Sequence, residues 1–264
     1  MDGFLRDIGA MVAQLDLGTT AWIMVVFFLA GVIKGVVGFG MPLFALSVLS
    51  ISMPLSVAIA ANVGPSLVTN FMQAVRGPYL RRLVRRLWPF LVPALALIWL
   101  GTRIQTLIDP AIPGLLLGVL AMAFAATGLS GFALRLSAEA ERWLGPVVGS
   151  VNGFVTGITG VFVIPGGLYL QSLGLRRDEL VQALGILFLL STAMIGVVFT
   201  AKSLMTPTLA LVSALAIGPG IVGMRIGERL RQRLSERLFR IVFLLGLGVI
   251  GFSLTVRNGA ALLG

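Results

Sequence analysis

Long apolar stretches recur along the whole chain, separated by short polar connections. Each stretch approaches the roughly 20 mostly apolar residues that a membrane-spanning helix needs, and no soluble-domain composition lies between them. The pattern predicts an all-α polytopic membrane protein with one membrane domain. If each of two glycine-rich stretches is read as a break between two short helices, hydropathy gives ten segments: 19–36, 39–51, 53–75, 87–106, 111–134, 144–159, 161–174, 179–200, 206–225 and 236–256.

The two glycine-rich stretches indicate an internal duplication. The first reads AGVIKGVVGFGMP and the second NGFVTGITGVFVIP, and three glycines recur in them at an offset of 122 residues. A proline follows each stretch, Pro42 in the first half and Pro165 in the second, and a longer apolar segment comes next. The sequence therefore predicts two five-segment repeats, residues 1–136 and 137–264.

Basic residues favour these ten segments over eight full spans. Eight spans would put the clusters at 76–86 and 225–240 on opposite faces, against the positive-inside rule. Ten segments put fifteen of the twenty Lys and Arg on one face: Arg76, Arg81, Arg82, Arg85, Arg86, Arg135, Arg142, Arg176, Arg177, Arg225, Arg229, Arg231, Arg233, Arg237 and Arg240. We expect this face to be cytoplasmic and both termini to be outside. Re-entrant hairpins at the breaks would give the same sidedness.

An odd number of segments in each half makes the two halves enter the membrane from opposite faces. The result is a 5+5 inverted-topology repeat, on which many alternating-access transporters are built. The first ten residues lack the pattern of a removable signal peptide. We therefore expect a multi-pass protein of the bacterial inner membrane.

Composition excludes several classes of function. The chain has no cysteine and no histidine, so disulfides, thiol chemistry, haem ligation and imidazole metal sites are ruled out, and no cofactor or metal is expected. The net charge of +10 is explained by topology signals rather than by nucleic acid binding. No GxxxxGK[ST] phosphate loop occurs, which argues against ATP-driven pumping by this chain alone.

The two breaks form the predicted binding site. A helix break at membrane depth survives only inside protein or beside water, and the helix N-termini that it creates favour an anion. Lys34 is the one charged residue well inside an apolar segment, which makes it a functional hypothesis. The alternative for Lys34 is a side chain that snorkels to an interface or pairs with a carbonyl. Gly31 and Gly153 begin GxxxG pairs and are assigned to helix packing.

Both halves resemble the sulfite exporter TauE/SafE family, also called the 4-toluene sulfonate uptake permease family. FFLAGVIKGVVGFGMPLFALSVL and NVGPSLVTNFMQAVR are similar to that family's first repeat, and NGFVTGITGVFVIPGGLYLQSLGLRRDELVQALGILFLLST is similar to its second. The resemblance implies transport of sulfite, sulfoacetate, aromatic sulfonates or related organic anions, in either direction.

This chain departs from the family after the first break. Where the family often has a second glycine pair there, the chain reads Gly40-Met41-Pro42, and the second break reads Gly160-Val161-Phe162. A pocket that contains Phe39, Met41 and Phe162 would be more apolar, which favours an organic sulfonate or carboxylate. The full set of predicted substrate-binding residues is Lys34, Gly38, Phe39, Gly40, Asn62, Asn70, Asn152, Thr156, Gly160 and Ser191.

These features together predict a secondary transporter of a small sulfur-containing anion and not an enzyme. Alternating access would occur around a central site at the two breaks. Two alternatives stay open: a transporter of another organic anion, such as a carboxylate, and a membrane scaffold that transports nothing. The expected partners are a small anionic substrate and the lipid bilayer, with proton or sodium coupling and a homodimer left open and nucleic acid excluded.

Overall fold

A computed structural model describes residues 17–131, 135–233 and 235–263 of the chain. Every regular element in these ranges is a helix, which confirms the all-α prediction. The helices are α1 (Leu17–Val37), α2 (Met41–Leu49), α3 (Leu55–Ala74), α4 (Leu80–Gln105), α5 (Ala111–Ser130), α6 (Ala138–Thr159), α7 (Gly166–Ser172), α8 (Arg177–Ala201), α9 (Pro207–Leu215), α10 (Ile217–Leu230) and α11 (Glu236–Leu263). The predicted outside location of the N-terminus concerns residues that lie outside the described ranges.

Long apolar helices dominate the structure. Seven helical stretches in the described ranges are long and apolar enough to cross a membrane: Leu17–Val37, Leu55–Ala74, Leu80–Gln105, Ala111–Ser130, Arg177–Ala201, Pro207–Leu230 and Arg237–Leu263. The sixth of these joins α9 and α10, which only Ala216 separates. The short helices α2 and α7 contain nine and seven residues, which is too few to span a bilayer at about 1.5 Å per residue.

The observed helix bounds differ from the predicted segments mainly at polar ends. Helix α4 begins at Leu80 rather than at 87, because it continues through a basic stretch that hydropathy does not detect. The segment predicted at 161–174 contains only the short helix α7, because residues 161–165 are not helical. Hydropathy finds the part of a helix that faces apolar surroundings, and helices extend beyond it into polar surroundings.

The non-helical connection between α1 and α2 contains two glycines in left-handed backbone. Gly38 has a φ of 93° and Gly40 a φ of 96°, a conformation that glycine adopts without steric cost. Gly160, which follows α6, has a φ of 73°. Pro42 lies in the first turn of α2, where its missing N–H group has no helical partner to lose.

The long helices pack in four close pairs, and glycines allow the closest approaches. Helix α1 lies along α10, α4 along α6, α5 along α11 and α3 along α8. A Cβ atom added to Gly31 would collide with the carbonyl oxygen of Gly220, and one added to Gly153 would collide with that of Ala94. The packing role predicted for Gly31 and Gly153 is therefore confirmed.

An arginine binds the C-terminal end of each short helix. Arg257 of α11 donates to the carbonyl oxygens of Ser50, at 2.7 Å, and Ile51, at 2.8 Å, just after α2. Arg86 of α4 donates to the carbonyl oxygen of Leu173, just after α7, at 3.3 Å. A cation at a helix C-terminus satisfies free carbonyl groups and complements the helix dipole. The two short helices are thus anchored in the same way.

Candidate functional site

A cavity of about 430 Å³ lies among α1, α3, α8, α10 and α11. Its inner wall includes Lys34 of α1, with Gly38 and Phe39 of the connection that follows α1. Helix α3 contributes Thr69 and Gln73. The charged residues in the rest of the lining are Arg76, Arg177, Glu228, Arg231 and Arg240. Among the described residues that line the cavity, five are basic and one is acidic, so the space favours an anion.

Lys34 is almost completely buried, with 4% of its surface exposed, in the last turn of α1. Its Nζ donates to Thr69 Oγ1 at 3.1 Å and to Asn70 Oδ1. Thr69 Oγ1 gives its own hydrogen to the carbonyl oxygen of Pro65 at 2.7 Å. An ammonium group has three N–H donors, so two neutral acceptors leave one donor for a ligand.

No acid among the described residues balances the charge of Lys34. Ion pairs of the described residues include Arg76–Glu228, Arg82–Glu179 and Arg86–Glu141. Within those residues, no carboxylate lies within ion-pair distance of Lys34. A buried charge is normally paired, so this ammonium is a strong candidate for binding an anion.

Polar side chains form a stripe along one face of α3, at the i, i+3, i+4 and i+7 spacing of a helix. The stripe contains Asn62, Ser66, Thr69, Asn70 and Gln73. Among the described residues, neither Asn70 Nδ2 nor Gln73 Oε1 has a hydrogen-bond partner, although both atoms are buried. Gln73 Nε2 is held by the carbonyl oxygen of Val181 at 2.9 Å. Buried polar atoms are rarely left unpaired, so a ligand or water is expected beside them.

The outer part of the cavity carries an ion pair between two helices. Arg76, just after α3, contacts Glu228 of α10 at 2.5 Å. The hydrogen bond from Glu228, together with its negative charge, raises the pKa of Arg76 above its ordinary value despite partial burial. Arg240 of α11 donates to the carbonyl oxygen of Gly128 at 3.0 Å. The summed positive field of such a lining attracts anions and speeds their entry.

At the second break, polar side chains bind the chain's own backbone. Asn152 Oδ1 accepts the N–H of Gly166 at 2.8 Å, and Thr156 Oγ1 donates to the carbonyl oxygen of Val161 at 3.0 Å. The ring of Phe162 packs against that of Phe188, with 4.7 Å between centroids. These contacts hold the non-helical segment 160–165 in place, and Asn152 Nδ2 is buried without a hydrogen-bond partner among the described residues.

The ten predicted site residues therefore fall into two groups. Lys34, Gly38 and Phe39 line the cavity, and Asn70 binds Lys34. The other six do not line it: Gly40, Asn62, Asn152, Thr156, Gly160 and Ser191. Gly40 lies at the start of α2, and Asn62 accepts a hydrogen bond from Ser66. Ser191 Oγ is buried without a partner among the described residues.

Thr69 and Gln73 line the cavity but are absent from the predicted set. The sequence contains a signal for both, because they continue the helical spacing that starts at Asn62 and passes through Asn70. In the sequence, the arginines that line the cavity are recognisable only as topology signals. Their contribution to a positively charged cavity lining becomes visible only when α3, α8, α10 and α11 bring them around one opening.

The sequence model of one protein family matches this chain. The family is described as Sulfite exporter TauE/SafE, and the match covers residues 23–254, which include both breaks and the cavity. Neither a curated protein nor a solved structure matches the chain. Members of the matched family are membrane transporters and not enzymes. The chain therefore belongs to the sulfite exporter TauE/SafE family and is a multi-pass membrane transporter.

Proposed function

We propose that this transporter binds a small sulfur-containing anion, sulfite or an organosulfonate, at Lys34. The observation that carries the proposal is the buried ammonium group, which Thr69 and Asn70 hold through neutral oxygens, with no acid among the described residues at ion-pair distance. A buried ion that lacks a counterion is costly. A bound monoanion supplies the counterion and accepts the remaining N–H of Lys34.

Neighbouring groups support the same location. Helix α2 begins at Met41, and only Gly40 separates it from the cavity-lining residues Gly38 and Phe39. The start of a helix carries partial positive charge and free N–H groups, which favour an anion. Asn70 Nδ2 adds a buried donor without a partner among the described residues. We propose Lys34, Gly38, Phe39 and Asn70 as substrate-binding residues; the other six stay predictions without a contact to this cavity.

We propose that residues 1–136 and 137–264 form an inverted-topology repeat that alternates the access of this site. The pairing of helices supports it. The first long helix of each half packs against the fourth segment of the other half, α1 with α10 and α6 with α4. The third segments, α3 and α8, pack on each other, as do the fifth segments, α5 and α11. Reciprocal packing between the helices of the two halves is expected when one half rocks against the other around a central site.

The cavity and the Arg257 contact lie at opposite ends of α11. Arg240 lines the cavity, and Arg257 follows it by 17 residues, about 25 Å along a helix. We place the basic face, and with it the cavity mouth, at the cytoplasm of a bacterial inner membrane, with both termini outside. The described conformation is then the inward-open state. On the closed outer side, Arg257 forms hydrogen bonds with the carbonyl groups at the C-terminal end of α2.

Flux into proteoliposomes tests the proposal. Radiolabelled sulfite, small sulfonates and carboxylates would be offered to the purified protein, with and without a proton or sodium gradient. We expect saturable transport of sulfite or a sulfonate, and the gradient that accelerates it identifies the coupling ion. Lys34→Gln should remove this flux because it removes the ammonium.

The chain offers a matched control for this experiment. Lys202 is the only other lysine in the sequence and follows the end of α8, away from the cavity. Lys202→Gln makes the same chemical change and should keep native flux. Full flux in Lys34→Gln would contradict the proposed site. Absence of flux for every anion, with folded and inserted native protein, would favour the scaffold alternative.

A further inference from the structure

Phe39 separates the Lys34 cavity from a second cavity of about 240 Å³. Val37, Phe39 and Arg240 line both spaces. Phe39 itself is half-buried. Its ring meets that of Phe124, in the wall of the second cavity, edge to face, with 5.9 Å between centroids. The two spaces are therefore neighbouring lobes with one aromatic side chain between them.

The two lobes differ in chemistry. The Lys34 lobe contains five basic side chains and the polar groups of α3. In the second lobe, Arg240 is the one charged residue among the described residues of its wall. Thr127 and Gln171 are the neutral polar side chains of this lobe, and its apolar side chains are Val37, Phe39, Phe124, Leu168, Phe243 and Leu244. The first lobe suits an anionic head group, and the aromatic and aliphatic side chains of the second offer a surface for an apolar body.

Phe39 lies between two glycines in left-handed backbone. Gly38 and Gly40 both have positive φ values, and neither belongs to α1 or α2. A Cβ atom added to Gly38 would meet no heavy atom within 4 Å. Phe39 is thus a large side chain on a short non-helical segment, with its ring packed against that of Phe124.

We infer that Phe39 sets the size of the anion that the transporter accepts; this inference rests on the proposed function. With the head group at Lys34, the rest of the anion extends toward the Phe39 ring. The ring in its described position confines the anion to the first lobe. Removal of the ring joins the lobes, and the apolar body of a larger anion then lies against Phe124 and Phe243.

Two sulfonates of equal charge and different size test this role. The ratio of kcat/KM for naphthalene-2-sulfonate to that for methanesulfonate would be measured in proteoliposomes for the native protein, Phe39→Ala and Phe39→Trp. We expect the ratio to rise about tenfold in Phe39→Ala and to fall by a similar factor in Phe39→Trp, within the range by which pocket size discriminates ligands. Opposite directions in two variants cannot arise from a common folding defect.

Phe71→Ala provides the matched control. Phe71 lies on α3, is 56% exposed and lines neither lobe, so its ratio should equal the native one. The same anions would also be added to purified protein, because the rise in thermal unfolding midpoint reports binding without transport. Equal ratios in both Phe39 variants would overturn the role of Phe39. Failure of the native protein to transport or bind even methanesulfonate and sulfite would instead contradict the proposed function.

Discussion

The two breaks of this chain have similar sequences but different surroundings. At the first break, Lys34 lines a cavity, its Nζ donates to Thr69 Oγ1 and Asn70 Oδ1, and the buried Asn70 Nδ2 has no partner among the described residues. At the second break, Asn152 binds the N–H of Gly166 and Thr156 binds the carbonyl of Val161. The oxygens of these two side chains hold the backbone of the second break, while Asn152 Nδ2, like Asn70 Nδ2, is buried without a partner among the described residues. The first break is distinguished by its charge and by the cavity that Lys34 lines.

The difference shows that two copies of a duplicated motif can share a packing role while only one of them carries a charged side chain. Both copies keep the glycines that bring helices into contact, so both serve the packing of the fold. A charged residue was retained or gained in only one copy, Lys34 against Thr156. We therefore expect changes at the first break to alter anion binding and changes at the second break to alter stability.

The largest effect is expected when the first break is given the residue of the second. Lys34→Thr removes the ammonium and keeps a hydroxyl group. A hydrogen bond to a charged group contributes about 1.5–3 kcal/mol, so we expect anion affinity to fall about a hundredfold at the upper end of that range. Anion-dependent stabilisation against heat, followed for purified protein, measures the affinity. Native affinity in Lys34→Thr would remove the distinction between the breaks.

A counterion built into the chain should weaken binding somewhat less. Asn70→Asp preserves the shape of the side chain and places a carboxylate against Lys34 Nζ. This carboxylate neutralises the ammonium and competes with the substrate, so we expect the KM for the anion to rise about tenfold, with little loss of thermal stability. Asn70→Ala removes the contact without adding charge and serves as the comparison. A KM higher in Asn70→Ala than in Asn70→Asp would contradict the counterion role of the substrate.

A smaller effect, in the opposite direction, is expected at the mouth of the cavity. Glu228 is the one acidic residue in the described lining, and Glu228→Gln increases the positive field there. We expect KM to fall about two- to threefold at low ionic strength and the difference to vanish at high salt, because salt screens exposed charges. Glu139→Gln, an exposed substitution outside this lining, should leave KM unchanged. A salt-independent change in Glu228→Gln would argue against an electrostatic origin.

The smallest effect on transport is expected at the second break. Thr156→Val keeps the shape of the side chain and removes its hydrogen bond to Val161. The loss of one buried hydrogen bond costs about 1 kcal/mol of folding free energy, so the thermal unfolding midpoint should fall. Because this bond does not contact the anion, KM should stay within about twofold of native, whereas a loss of about 1.4 kcal/mol of binding free energy would raise it about tenfold. Unfolding curves and flux from the same preparation separate the two quantities. A tenfold rise in KM would extend the anion site to the second break.

Much of the fold follows from the sequence because a bilayer constrains a chain strongly. An apolar stretch of spanning length predicts a helix. Helices α1 and α3 begin and end within a few residues of the predicted segments, and α5 begins at the predicted residue but ends at Ser130 rather than at 134. The basic N-terminal end of α4 could not be placed in the same way, because basic residues are as compatible with a helix as with a loop. Only packing and hydrogen bonding determine where such a helix begins.

The candidate site is less predictable because it depends on distances between helices. The isolated charge of Lys34 is visible in the sequence, and so is the polar stripe on α3 that receives it. The sequence does not reveal that Asn152 Oδ1 and Thr156 Oγ1 form hydrogen bonds with nearby backbone groups. Nor does it reveal that Arg76 lies at the same opening as Arg231 and Arg240, which are far from it in the chain.

Labelling of a single cysteine tests most directly whether an anion binds in the Lys34 cavity. The native chain has no cysteine, so Met72→Cys places one thiol in the cavity wall, and Ser235→Cys places one on an exposed residue outside that wall. A membrane-impermeant maleimide would be applied with and without methanesulfonate, since sulfite itself consumes maleimide. We predict that methanesulfonate slows labelling of Met72→Cys but not of Ser235→Cys, and that Lys34→Gln abolishes this protection. Equal labelling rates with and without the anion, or protection that survives in Lys34→Gln, would contradict the account.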